Sequence, residues 1–160
     1  MGNNASVKQF KTDMLALKNQ MKVGFRDQFN AMGAELVENI QHAIVHNETY
    51  HLHDSVRKKD ISTETKPSVL VLAGGKATTK RTDAGFFDYA IAEEFGTVKQ
   101  AARPFFYSTV RMYQNGFRQG VRETFEQTLA ENNKLRATRA NNAGAAGQSG
   151  AYRGALTLRR

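Results

Sequence analysis

The sequence contains no cysteine and no tryptophan, and only two of its 160 residues are proline. Without cysteine the chain cannot form disulfides, thiolate metal sites or a cysteine nucleophile. No apolar run approaches the roughly 18 residues that indicate a membrane-spanning helix. The N-terminal residues place Lys8, Lys11 and Asp13 among apolar ones, which does not match the apolar core of a signal peptide. We therefore expect neither a membrane span nor export by the signal-peptide route.

The residues that are present have the ordinary balance of one folded domain, since 40% are hydrophobic and 24% are charged. The net charge of +8 is unevenly distributed, because residues 132–160 carry six basic residues and no acidic one. Residues 1–131 carry 17 basic and 15 acidic residues, a balance of only +2. We predict a single domain over residues 1–131 and a basic arm, rich in Ala, Gly and Asn, over residues 132–160.

The basic arm has too little apolar surface to fold alone. A flexible solvated end is one interpretation, and an arm that orders on nucleic acid or on a neighbouring subunit is another. Its last residues alternate with period two, as a strand added to a neighbour's sheet edge would: Tyr152, Gly154, Leu156 and Leu158. Candidate contacts with DNA or a partner are the basic residues of the arm and of residues 74–85. They are Lys76, Lys80, Arg81, Lys134, Arg136, Arg139, Arg153, Arg159 and Arg160.

Two long amphipathic helices are predicted from apolar residues that recur three or four positions apart. The first runs from residue 6 to about residue 46 and would be roughly 60 Å long at 1.5 Å per residue. Such a helix either breaks near Gly24 or Gly33, or extends to contact other subunits. The second helix is predicted to open with Arg103-Pro104, because proline is favoured in a first turn, and to end at about Asn132.

The region between the helices predicts short strands and loops. Residues 55–61 are one candidate strand, and residues 68–74, bounded by a proline and a glycine pair, are a second. Residues 74–85 lack apolar periodicity and predict a mobile loop. Residues 89–93 alternate large and small side chains, which predicts a half-buried strand. The fold class is thus α+β: a long N-terminal helix, a small antiparallel sheet, a long C-terminal helix packed on the sheet, and an extended basic C-terminal arm.

A search for catalytic or metal-binding motifs finds none that is complete. His42 has a second histidine four residues later, but the adjacent Glu of a metalloprotease motif is missing. Residues 74–76 (GGK) lack the first glycine and the following hydroxyl of a phosphate loop. Glu93 and Glu94 lie near Asp88, and we interpret these carboxylates as a charged edge of a strand or helix. The sequence predicts no enzyme, no metal site and no cofactor.

Three segments resemble the small neck proteins of long-tailed bacteriophages, which are labelled tail completion, head–tail joining or tail-component proteins. Residues 49–56 (TYHLHDSV) are similar to the family's "TGxLRxSI" segment, with Tyr and His in place of its Gly and Arg. Residues 89–97 (YAIAEEFGT) are similar to "YAxxVEFGT", and residues 103–106 (RPFF) to the start of "RPFxRPA". Residues 107–109 replace the rest of that last element. The resemblance covers about residues 5–131.

This resemblance implies a virion structural protein at the head–tail junction, assembled in the host cytoplasm. It implies a homo-oligomeric ring, a hexamer or a dodecamer, as in closed assemblies generally. Its partners would be head-closure or connector proteins and tail-terminator or tail-tube proteins, without a membrane. The basic arm would meet either DNA in the channel or a neighbouring subunit. The alternative function is nonspecific nucleic-acid binding through the basic arm.

The motif residues are expected to hold the fold together and not to perform chemistry. Phe95 is predicted to anchor the core, Gly96 to supply a positive φ at a turn, and the residues after Arg103 to set the last helix against the core. The full set of predicted structural residues is Leu52, Ser55, Tyr89, Ala90, Glu94, Phe95, Gly96, Thr97, Arg103, Pro104, Phe105 and Phe106.

Overall fold

A computed structural model of the chain describes residues 3–45, 50–83 and 85–154, with the backbone alone for residues 3–6 and 143–154. In chain order the elements are α1 (Asn3–Ala43), α2 (His51–Ser55), β1 (Arg57–Asp60), β2 (Val69–Leu72), β3 (Thr79–Thr82), β4 (Gly85–Asp88), α3 (Tyr89–Phe95) and α4 (Phe106–Gly154). The predicted α+β class, with a long helix near each end of the chain, is confirmed.

The elements form two compact units. Unit 1 combines Met1–Met21 with Phe125–Arg160, and unit 2 is Lys22–Thr124. The division passes through α1 and α4, so each long helix contributes to both units. The predicted separation of residues 1–131 from the basic arm stays a prediction.

The hydrophobic core lies in unit 2. Ile40 of α1 is fully buried, and Phe105, immediately before α4, is 3% exposed. The remaining members come from α1, α2, α3 and the residue after α2: Leu36, Leu52, Val56 and Ala90. Burial of apolar area at about 25 cal/mol per Å² is the main favourable term, so this cluster holds the short elements of unit 2 to the long helices.

Two separate two-stranded antiparallel sheets take the place of the single small sheet that was predicted. β1 pairs with β2, placing Arg57 opposite Leu72, and β3 pairs with β4, placing Thr79 opposite Asp88. The strand predicted over residues 68–74 is confirmed as β2. The strand predicted over residues 55–61 is confirmed only as β1, because Ser55 ends α2, where its hydroxyl donates to the Leu52 carbonyl oxygen at 2.6 Å.

The predicted mobile loop at residues 74–85 is wrong, since this segment contains β3 and the first residue of β4. The β3–β4 hairpin has no apolar periodicity because neither of its faces is buried. Phe86 in β4 is 83% exposed. Alternation predicts a strand only when one face packs against a core, and this hairpin has no such face.

The strand predicted over residues 89–93 is also wrong, because these residues begin α3. Asp88 is the N-cap of that helix, and its carboxylate accepts from the Ala90 N–H at 3.0 Å. Phe95 does not anchor the core as predicted. It is 64% exposed and shares an exposed helical face with Ile91, four residues earlier.

Helix α1 is unbroken over Asn3–Ala43, so of the two alternatives the break at Gly24 or Gly33 is wrong. Gly33 instead permits a close approach to β2, because a Cβ added there would lie 2.7 Å from Val69 Cγ1. A larger residue would push this strand away from the helix.

Helix α4 packs against α1, where packing on the sheet was predicted. Within unit 2, the Phe29 and Phe117 rings stack with centroids 6.0 Å apart. Within unit 1, Asn132 donates to the Gln20 side-chain oxygen at 3.2 Å. Helix α4 begins at Phe106 and not at Arg103-Pro104 as predicted. The predicted helix end near Asn132 and the extended arm are also wrong, since α4 continues to Gly154. Of the four residues read as a period-two strand, Tyr152 and Gly154 are therefore helical, and Leu156 and Leu158 lie outside the described residues.

Candidate interaction site

Glu94 connects α3 to the first turn of α4. Its carboxylate accepts from the backbone N–H groups of Phe105 and Phe106, both at 2.8 Å, and of Tyr107 at 2.9 Å. The first N–H groups of a helix have no partner within it, and a negative charge is favoured at that end. The Glu94 residue is 7% exposed. It therefore caps α4 from a neighbouring element, out of contact with bulk water.

The turn between α3 and α4 is held by backbone and side-chain hydrogen bonds. Arg103 N–H donates to the Glu93 carbonyl oxygen at 2.7 Å, and the Gln100 amide donates to the Glu93 carboxylate at 2.7 Å. Thr97 and Gln100 form an isolated antiparallel bridge. Gly96 has φ +77°, which confirms the predicted positive φ. We call residues 94–107 the α3–α4 joint.

Ser55 connects α2 to the end of β2. Besides donating to Leu52, its hydroxyl accepts from the Gly74 N–H at 2.9 Å. Both Ser55 and Leu52 are 4% exposed. The hydroxyl thus accepts the Gly74 N–H, a buried donor that lies beyond the end of β2 and has no partner in the β1–β2 ladder. The role of Ser55 is therefore structural.

The acidic residues that sequence analysis grouped as a charged edge have three separate tasks, so that interpretation is wrong. Asp88 caps α3 and accepts from the Thr78 hydroxyl at 2.7 Å. Glu93 holds the turn after α3, and buried Glu94 caps α4. Sequence analysis missed the roles of Asp88 and Thr78. An Asp directly before a helical segment was the available signal, since Asp is a preferred N-cap.

An apolar groove of about 270 Å³ lies between β2 and the α3–α4 joint. Its β2 side includes Val71 and Leu72, and its other side includes Ile91, Phe95 and Tyr107. The Phe95 and Tyr107 rings lie 5.9 Å apart and are 64% and 50% exposed. Among the described residues, Glu94 is the only charged side chain that lines the groove, and its oxygens already accept three N–H groups. The groove is suited to apolar side chains.

The predicted basic contacts fall into two groups. In unit 2, Lys76, Lys80 and Arg81 are exposed, and Lys80 Nζ lies 5.6 Å from the centroid of the Tyr89 ring. This places one ammonium group over an aromatic face, an attractive cation–π geometry. The other two cations stand at the surface of the turn before β3 and of β3 itself.

In unit 1, two arginines of the predicted arm pair with a carboxylate of α1. Arg139 Nη1 lies 3.1 Å and Arg136 Nε 3.8 Å from Asp13 oxygens. Lys134 is exposed. The side chain of Arg153 and all of Arg159 and Arg160 lie outside the described residues.

Within the described ranges, no three His, Asp or Glu side chains are grouped so that they could hold a metal ion. No described helix combines the length and apolar character needed to cross a bilayer. Comparison of the chain with protein-family models, with curated proteins and with solved structures found no match. The fold and the site therefore define a class only: an α+β protein whose motif residues join its elements and whose groove is apolar.

Proposed function

We propose that this chain is a structural subunit of the neck of a long-tailed bacteriophage. It forms a ring that completes the tail and joins it to the DNA-filled head. The proposal begins from the resemblance of residues 49–56, 89–97 and 103–106 to the neck-protein pattern.

The observation that carries the proposal is the position of Glu94. The two more specific segments of the pattern, residues 89–97 and 103–106, are separated in sequence and meet at this carboxylate. Their shared pattern thus has a physical reason, because a carboxylate in the first segment caps the helix that follows the second. Motif residues that make internal hydrogen bonds are consistent with a structural role.

The exposed apolar residues of unit 2 support assembly with other protein surfaces. Phe86, Ile91 and Phe95 are 83%, 60% and 64% exposed. Large apolar patches on a soluble monomer usually mark a binding surface. In a ring with cyclic symmetry, contacts between neighbouring copies would bury such residues.

The proposal is tested by removing the gene from a phage that encodes the chain. We expect DNA-filled heads and separate tails in electron micrographs, with infectivity restored by the wild-type chain supplied in trans. A Met112→Ala chain, altered at an exposed α4 position, should also restore joining. Normal joined virions after a clean deletion would contradict the proposal.

The ring is tested on the purified chain. Native mass spectrometry over a range of concentrations should show one closed species, with six or twelve copies. A monomer at every concentration would refute the ring.

A further inference from the structure

We infer that neighbouring copies of the chain join by strand addition: the β3–β4 hairpin of one copy enters the groove of the next and pairs β4 with the open edge of β2. The inference rests on the proposed function in one respect: a ring requires that the same contact repeats between neighbouring copies. The two surfaces that it brings together both lie in unit 2. In a single copy each of them has a strand edge without a pairing partner.

The first surface is the edge of β2 that faces away from β1. The Ile61 N–H donates to the Ser68 carbonyl oxygen at 3.0 Å. Hydrogen-bonded pairs recur every second residue in an antiparallel ladder. The backbone groups of Val69 and Val71 therefore point away from β1, and among the described residues no other strand pairs with β2.

This edge lacks the usual protection against strand pairing. Natural edge strands are shielded by charged residues, proline, bulges or a covering element. The β2 sequence is V-L-V-L, with neither a charge nor a proline. An open apolar edge of this kind is explained if another strand pairs with it in the assembled protein.

The groove runs along this edge. Val71 and Leu72 are consecutive, so their side chains point to opposite faces of the strand, yet both line the groove. A groove reached from both faces lies along the edge of the strand. Its volume of about 270 Å³ is below the range of about 300–1,000 Å³ typical for small-molecule sites. Apolar side chains of an added strand are the better fit.

The second surface is the β3–β4 hairpin. The Tyr89 N–H donates to the Thr78 carbonyl oxygen at 3.2 Å, so by the same alternation the backbone groups of Phe86 point away from β3. At 83%, Phe86 is the most exposed aromatic side chain among the described residues. β4 has four residues, as β2 does. The hairpin thus presents an open edge of matching length together with an uncovered aromatic ring.

The occupant of the groove is the hairpin of a second copy. The exposure of Phe86 shows that the hairpin does not fill the groove of its own chain. The hairpin supplies the two features that the groove and its edge call for, an uncovered apolar side chain in Phe86 and an open strand edge of the same length as β2. Because hairpin and groove are different surfaces, the contact is heterologous and repeats head to tail, which is the contact type that builds rings.

The test uses the full chain with Phe86→Asp in the hairpin and Ile91→Asp in the groove. Each variant should raise the concentration required for assembly at least tenfold. Met112→Asp, at an 84% exposed position of α4, should assemble like the wild type. Circular dichroism is used to check that all three variants fold. A ring that persists in both hairpin and groove variants overturns the inference and leaves the ring itself standing, whereas a wild-type chain that is always monomeric overturns both.

Mixing the two variants separates docking from general damage. The Phe86→Asp chain keeps its groove and the Ile91→Asp chain keeps its hairpin, so an equimolar mixture should form a dimer with one intact junction. Neither variant should dimerise alone. Absence of the mixed dimer at concentrations where the wild type assembles counts against hairpin-to-groove docking.

A disulfide test reports the contact directly, because the chain has no cysteine of its own. Phe86→Cys with Ile91→Cys should give a ladder of linked copies on a non-reducing denaturing gel after mild oxidation. Met112→Cys with Ile91→Cys is the matched control and should remain a single band. Equal ladders in the two double variants would refute the specific contact.

Discussion

At the residue scale, a few buried side-chain acceptors decide how the short elements of unit 2 are joined. Glu94 accepts three N–H groups at the start of α4, and Ser55 accepts the Gly74 N–H at the end of β2. In both cases the donors are backbone groups that regular secondary structure leaves unpaired. Removing such an acceptor leaves the donors unpaired and away from water. The resulting loss of folding stability is larger than the net contribution of the hydrogen bond itself.

Replacing Glu94 by Ala should lower the free energy of unfolding by about 3 kcal/mol, because hydrogen bonds to a charged group contribute about 1.5–3 kcal/mol and buried donors would be left unpaired. Urea unfolding followed by circular dichroism measures this. Glu94→Gln keeps the shape and an acceptor oxygen but removes the charge, so it should lower the free energy of unfolding by less than Glu94→Ala does. Glu126→Ala, at an exposed α4 position, is the matched control. Equal stability of the Glu94 and Glu126 variants would rule out the capping role.

Asp60 should control part of the acid sensitivity of unit 2. Hydrogen bonds from Ser62, Asn30 and Arg26 hold the pKa of the Asp60 carboxyl well below its usual range. A carboxyl whose pKa is lower in the folded state adds stability above its unfolded value, which is about 3.9. That contribution is lost as the pH falls below this value towards the folded pKa.

Asp60→Asn should therefore flatten the decline of stability with acidification below about pH 4, measured by urea unfolding at a series of pH values. The exposed residue Glu64 provides the control Glu64→Gln, which should keep the wild-type acid slope. An unchanged slope in the Asp60 variant would contradict the role of these hydrogen bonds.

At the element scale, the long helices were predictable because each has an apolar stripe with a consistent period. The end of α4 could not be predicted in this way, because the apolar stripe stops near Asn132 while the helix continues to Gly154. The later residues include many alanines, which have the highest intrinsic helix propensity but leave no hydrophobic pattern. Periodicity marks the part of a helix that packs, and it says little about where the helix ends.

The short elements were harder to predict for a different reason. α3 has seven residues, barely two helical turns, and its buried Ala90 and Ala92 alternate with larger residues as in a strand. The partners of Glu94 could not be predicted either, because they are backbone N–H groups, which every residue except proline possesses. The resemblance to the neck-protein pattern identified Glu94 as a motif residue. Only the fold shows which N–H groups its carboxylate accepts.

Two glycines offer a matched test of the element boundaries. Gly96 has φ +77°, and an added Cβ would lie 2.8 Å from the backbone nitrogen of Ala102, so Gly96→Ala should destabilise unit 2 by about 1–3 kcal/mol. Gly116 lies inside α4 with open space around it, and Gly116→Ala should stabilise by up to about 1 kcal/mol. The midpoint temperature of thermal unfolding should fall for Gly96→Ala and rise for Gly116→Ala. An unchanged or raised unfolding temperature for Gly96→Ala would mean that the turn at Gly96 is not constrained as described.

At the scale of the whole molecule, the two units differ in what stabilises them. Every buried apolar side chain among the described residues belongs to unit 2, whereas the buried residues described for unit 1 are the polar Thr128 and Asn132. In unit 1 the apolar residues of α1 stay largely exposed, with Phe10 at 55% and Leu15 at 58%. Its ion pairs between Asp13 and two arginines are partly exposed, and such pairs usually contribute only about 0–1 kcal/mol.

Unit 1 should therefore open locally well before the chain unfolds. Under conditions where the chain is monomeric, hydrogen exchange followed by mass spectrometry should show backbone amides of residues 8–21 and 125–142 exchanging at least tenfold faster than those of residues 32–40. The physical reason is that local opening exposes little apolar surface there, so its free energy is far below that of global unfolding. Asp13→Asn should speed exchange in unit 1 further and leave residues 32–40 unchanged, while Asp27→Asn, at an exposed position of α1 in unit 2, should have no such effect. Uniform protection of both units in the monomer would show that the polar contacts of unit 1 suffice without an apolar core.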